Sequence, residues 1–213
     1  MLCAGCAVNP ITGQRELMLI SPSQDEQLGQ KYAPEIKKQL GGEIEDQALQ
    51  EYVNRIGSKV AQVSQRPGAG YNFAAVQDGS LNAVALPGGH IFITKGMLEN
   101  LDSEAELAAI LAHEVVHVVA RDTANQMSRQ IGIDVLLSAV TSEDTPRSVM
   151  TVAQLSRQIL SLSYSRDDER QADMGGLNYL IRAGYNPQAM VEVMETLESQ
   201  QKGGQIEFFS THP

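Results

Sequence analysis

From Leu107 to Ala120 every residue is apolar except three: His113, Glu114 and His117. Within that run Leu107, Ile110, Leu111, Val115, Val118 and Val119 recur at the three- and four-residue spacing of an α-helix. Ser103, with Glu106 three residues on, supplies a capping box to start it. A helix apolar on nearly every side must lie inside its molecule. Two imidazoles and a carboxylate buried with it need partners, because burying polar groups alone is costly. The rest of the chain therefore has to fold around those three groups.

Residues four apart share a helix face, so His113 and His117 can aim two imidazoles at one ion. Zinc takes such ligands and lowers the pKa of its bound water to about 7. Glu114, beside them, suits the role of general base on that water. One Zn2+ per chain is expected. A catalytic zinc needs a third protein ligand. The metzincin pattern requires Gly at 120 and His at 123, where this chain has Ala120 and Thr123. A carboxylate further on is required instead. Glu143-Asp144 in a turn before Pro146 competes with the run from Asp167 to Asp173 on a helix. A rigid helix positions a ligand better than a turn does. Within the run Glu169 and Asp173 lie four apart, so one can bind metal while the other accepts an imidazole N–H.

The chain has 213 residues, enough for a single domain with a real core. Its 16 Lys and Arg against 26 Asp and Glu give a net charge of −10. That field repels phosphate backbones, and no compact basic cluster offsets it, so nucleic acid is not an expected partner. The most apolar regions, 131–140 and 148–162, are interrupted by Asp134 and Arg157. Neither approaches the roughly 20 apolar residues of a membrane span. Both cysteines, Cys3 and Cys6, fall in the first six residues. A redox Cys-x-x-Cys normally follows a strand, and a zinc ribbon needs a second pair. Small residues before Cys6 instead resemble the end of a bacterial lipoprotein signal, its charged and long apolar parts missing. On this reading residues 1–20 are an N-terminal tail with a candidate lipid anchor at Cys6, and 21–213 form the catalytic domain.

Along the chain, 7–20 read as a loop leading into a short extended segment. The capping box Ser23-Gln24-Asp25-Glu26 predicts a helix that passes Pro34 with a kink and stops at Gly41-Gly42. A second helix carries Leu49, Tyr52, Val53, Ile56, Val60 and Val63 on one face. Strands are predicted at Tyr71–Val76, Asn82–Leu86 and His90–Thr94, with Pro87-Gly88-Gly89 between the last two suiting a sheet edge. A long helical region follows over 147–183, and a last helix runs from Asn186-Pro187 to about Gln200. The expected class is α+β: mainly helical, with a small three-stranded sheet.

Four stretches together resemble the HtpX and CAAX-prenyl-protease type of zinc peptidase, family forty-eight of the metallopeptidases. They are Asn82-Ala83-Val84-Ala85-Leu86-Pro87-Gly88-Gly89 through Thr94; the His113 motif with Ala120-Arg121; Tyr164-Ser165-Arg166 through Glu169 and Asp173; and Ser210-Thr211-His212-Pro213. The likeness covers about residues 25–213. It implies a gluzincin-type domain in which Glu169 is the third zinc ligand and Asp173 its companion in the outer shell. It implies that the strand after Pro87-Gly88-Gly89 borders the cleft and pairs with an extended substrate backbone. His212 is implied to fall near the zinc, stabilising the oxyanion or filling the open coordination position at rest. His90 is read as a strand residue near the cleft. Val116 stands where many relatives have Gly or Ala, and Asp122 where a second His often follows Ala-Arg. Relatives also run on beyond the Ser-Thr-His-Pro stretch, often with an arginine important to the site.

The expected function is a periplasmic zinc endopeptidase, tethered to the outer membrane by lipid, that hydrolyses unfolded or misassembled envelope proteins. The rival is an envelope holdase that grips client strands at a sheet edge and cleaves little.

Overall fold

The computed structural model describes residues 6–130, 152–201 and 207–212. At the N-terminus β1 (Cys6–Val8) and β2 (Arg15–Leu17) pair antiparallel, so the expected loop over 7–20 is a hairpin. Its return strand leads Met18 and Ile20 into a buried cluster. Helix α1 (Pro22–Gln39) is capped by Ser21, which accepts from the Gln24 amide while the Gln24 side chain bonds back to Ser21 N–H. Pro22 needs no amide partner in the first turn, which moves the start two residues ahead of the predicted Ser23. Pro34 sits inside α1 without ending it. Helix α2 (Gln47–Ala61) follows, capped by Asp46.

Strands β3 (Asn72–Val76), β4 (Ala83–Ala85) and β5 (His90–Thr94) form one sheet in the order β3-β5-β4, with β5 parallel to β3 and antiparallel to β4. The strand after Pro87-Gly88-Gly89 is thus central. This corrects the expectation that it pairs with substrate, since its hydrogen bonds are taken on both sides. Composition explains the order: Ile91, Phe92 and Ile93 are fully buried, while the short, small-residue Ala83-Val84-Ala85 takes an edge. The Pro87–Gly89 turn is a single 3-10 turn packed under α1. A methyl group at Gly29 of α1 would lie 2.2 Å from the Pro87 carbonyl oxygen, so only glycine permits that approach.

After the short α3 (Lys95–Leu98), helix α4 (Glu104–Ala120) runs through the core and touches α2, β4 and two later helices. It ends at Arg121, whose backbone is left-handed (φ 62°), and α5 (122–130) departs from there. The predicted single region over 147–183 is two helices where it is described, α6 (Val152–Leu160) and α7 (Arg166–Arg182). They are separated because Ser165 and Asp168 form a capping box that restarts the chain. Helices α8 (Gln188–Gln201) and α9 (Glu207–Thr211) complete the fold. The class is the expected α+β. No described helix is long and apolar enough to cross a membrane.

Candidate metal centre

Helix α4 delivers His113 and His117, helix α7 delivers Glu169, and His212 arrives from the end of α9. All four are buried, and one donor atom from each lies within 4.8 Å of the others. His113 Nε2 stands 3.1 Å from His117 Nε2, 3.3 Å from His212 Nδ1 and 3.3 Å from Glu169 Oε2. Glu169 Oε1 is 3.6 Å from His117 Nε2 and 3.1 Å from His212 Nδ1. A tetrahedral ion with bonds of about 2.0–2.1 Å sets its ligand atoms about 3.3 Å apart. The donor spacing therefore fits such an ion, and the set can hold one.

Each helix histidine has its outer nitrogen held by a carboxylate. His113 Nδ1 is 3.1 Å from Asp173 Oδ1, and His117 Nδ1 is 2.8 Å from Asp122 Oδ2. Acceptors of this kind fix ring orientation and tautomer in metal sites. Asp173 is where the sequence pointed. Asp122 was noticed only as a departure from the common pattern, and its service to His117 is new. It reaches back because the left-handed turn at Arg121 ends α4 just before it.

Burial opposes charge on His113, but hydrogen bonds to Asp173 and Glu169 and the field of Glu114 win, raising its pKa to about 10. His117 moves the other way, held well below its usual value by burial and by its neighbours His113 and His212. Glu169 is lowered: burial works against its charge, and the His113 and His212 hydrogen bonds more than offset that. Glu114 is fully buried, and desolvation raises its pKa against His212, His113 and the Ala85 backbone amide, which lower it; neither oxygen meets a donor in good hydrogen-bond geometry. An orphaned buried carboxylate is costly unless something polar comes to it. Its near neighbour is His212 Nε2, 3.7 Å from Oε1.

Aromatic rings complete the wall. Tyr164 stacks on His117 with centroids 3.9 Å apart and planes 8° off parallel, and Phe208 stacks on His212 at 4.4 Å and 17°. Tyr164 lay in a quoted motif without a role, and nothing in its sequence spacing marks the stack. His90 opens β5 beside Gly29 of α1, outside the cluster. Pro87, Gly88 and Gly89 end β4 without joining the cluster, and Glu143-Asp144 lies outside the described residues.

A family-level comparison matches residues 47–213 to Peptidase family M48. The chain belongs to peptidase family M48. Its M48 domain is thereby a metallopeptidase domain, and the four-donor cluster could bind a metal. Among curated relatives it is 27% identical over 208 residues to the beta-barrel assembly-enhancing protease of Escherichia coli, covering 91% of this chain and 42% of that protein. It is 30% identical over 218 residues to the mitochondrial metalloendopeptidase OMA1 of Schizosaccharomyces pombe, covering 96% of this chain and 61% of the relative. The chain spans less than two thirds of the length of these relatives.

Proposed function

We propose that this M48 domain is a zinc endopeptidase that hydrolyses peptide bonds in unfolded or misassembled proteins of the cell envelope. The observation that carries the reading is Glu114, fully buried and without a well-formed hydrogen bond beside a four-donor cluster. His113, His117 and Glu169 would hold the zinc, with Asp173 and Asp122 orienting the two rings. Zinc, when bound, polarises the scissile carbonyl and makes water more acidic. Glu114 takes the proton of the attacking water and passes it to the leaving amine. Once α9 moves aside, the substrate lies extended along the outer edge of β4, where Ala83 and Ala85 are buried at rest, toward the Pro87-Gly88-Gly89 turn, and is held by main-chain hydrogen bonds.

His212 supplies a fourth donor at the position a catalytic site keeps open. In this reading it occupies that position at rest and, once displaced, turns to stabilise the oxyanion. The same closed set supports a second reading, a holdase that binds client strands at β4 and cleaves little. A periplasmic location fits the bacterial relatives, whose name concerns β-barrel assembly. A lipid on Cys6, which is exposed on the hairpin, would hold the domain at the outer membrane.

The deciding substitution is Glu114→Gln. Zinc content measured by atomic absorption should stay near one per chain while digestion of an unfolded protein disappears. Continued digestion would remove Glu114 from the chemistry and the endopeptidase assignment with it.

A further inference from the structure

Helix α7 turns Glu169 to the four-donor cluster and Asp173 to the outer nitrogen of His113. Gln171 stands two positions from each, and so about 160–200° round the helix from both. Next along α7 the buried residues are Ala172, Gly175 and Gly176, the two glycines lying against Val116 and His113 of α4. Side-chain ridges are what stop one helix rolling on another, and this stretch has almost none. Bulk arrives only further on, with Leu180 and with Tyr179, which is hydrogen-bonded to Gln65. The end of α7 that carries Glu169 needs a separate hold.

The N-terminal hairpin supplies it. Asn9 is buried just after β1, and its Oδ1 accepts from the Ile11 and Thr12 amides at 2.9 and 3.4 Å. That orientation leaves Nδ2 to donate, to Gln171 Oε1 at 3.0 Å and to Glu16 Oε1 at 2.8 Å. The other Glu16 oxygen accepts from Asn125 Nδ2 of α5 at 2.9 Å. Asn125 is itself buried, three residues beyond the Asp122 that supports His117. Two more bonds fasten the chain after β2 to the same corner. Leu19 N–H donates to Ser128 Oγ at 2.9 Å, and Arg121 Nη2 donates to the Ile20 carbonyl at 2.8 Å. The relay Gln171–Asn9–Glu16–Asn125 thus joins α7 beside Glu169 to α5 beside Asp122.

We infer that Asn9 and Gln171 are positioning residues: their hydrogen bond fixes the roll of α7 about its axis, and with it how far Glu169 reaches into the cluster. A buried side-chain network specifies one geometry where smooth apolar contact permits several. The hairpin then belongs to the framework of the candidate metal centre, although it contributes no donor to it. This role rests on the reading that Glu169 holds the metal.

The test loads the full chain with cobalt(II), whose visible spectrum reports the number and kind of its ligands, and measures affinity by chelator competition. Gln171→Met keeps the length of the side chain and removes the acceptor; Asn9→Ala removes the donor. Each should weaken cobalt about tenfold and move the spectrum toward that of Glu169→Gln. The double substitution should go no further than the stronger single one, because both break the same bond. Tyr179→Phe is the control: it loosens the far half of α7, lowers the urea midpoint, and should leave spectrum and affinity unchanged. Gln171→Met leaves the hairpin's own bonds in place and decides alone if Asn9→Ala does not fold. The role is overturned if Gln171→Met leaves spectrum and affinity unchanged, if the two substitutions add, or if Tyr179→Phe has the same effect. Unchanged cobalt binding in Glu169→Gln overturns instead the reading of Glu169 as a ligand.

Discussion

Val116 on α4 faces Gly175 on α7 so closely that a methyl group added at Gly175 would lie 2.8 Å from Val116 Cγ2. The larger residue on the histidine helix is thus accommodated by a bare backbone on the glutamate helix. Gly176, the next residue, would bring a methyl 3.1 Å from the His113 amide nitrogen. The separation of these helices fixes how far Glu169 stands from His113.

Gly175→Ala should therefore destabilise the protein, by about 1–3 kcal/mol as for an overpacked core. The same substitution combined with Val116→Ala should recover that loss and gain up to about 1 kcal/mol from helix propensity. Urea unfolding of the four members of the cycle measures the coupling. Additive effects would show that the two residues do not share the space.

Asp122→Asn and Asp173→Asn each remove a carboxyl acceptor from the outer nitrogen of a ring in the four-donor cluster. Each should weaken metal binding about 10- to 100-fold, as losses of such partners do elsewhere. Competition with a chromophoric chelator reads this directly. Asp173 is 54% exposed in its side chain and Asp122 is 2% exposed, so the larger effect is expected at Asp122.

Removing the fourth donor should have opposite effects on binding and turnover. His212→Ala should weaken zinc and, if the residue blocks the site at rest, raise cleavage of an unfolded protein several-fold. A fall in cleavage with zinc still bound would assign His212 to the reaction itself. No cleavage by either form with zinc bound would favour the holdase.

At alkaline pH the buried Tyr179 should limit stability. Burial pushes its pKa up to about 12, and its hydroxyl is hydrogen-bonded to Gln65. The folded value exceeds the unfolded value near 10, so the protonated form is favoured by folding. Its contribution is complete below pH 10 and is lost as pH rises toward 12, at up to about 1.4 kcal/mol per pH unit. Urea midpoints between pH 9 and 12 should fall, and Tyr179→Phe should flatten the fall.

Local chemistry was readable in the chain and long-range pairing was not. The apolar run around His113 and His117, and the four-residue spacing of Glu169 and Asp173, each lie within one helix, where spacing dictates direction. Which strand forms the sheet edge is decided by partners far apart in sequence. Pro87-Gly88-Gly89 suggested an edge at β5, but it only ends β4, and the apolar His90–Thr94 strand went to the centre. Tyr164 meets Thr123 across 41 residues, so neither hydroxyl had a local signature. The split between α6 and α7 was legible in principle, since Ser165 and Asp168 form the same kind of capping box recognised at Ser103.

The left-handed backbone of Arg121 also has a meaning for how such a site is built. In an uninterrupted helix a residue five places beyond His117 points about 140° away from it. Asp122 reaches His117 only because the helix stops one residue earlier. Ending the helix is thus a step in assembling the candidate metal centre. A β-branched residue at 121, which resists positive φ, would loosen the support of His117 without altering any ligand. The centre depends on a stop signal as much as on its donor atoms.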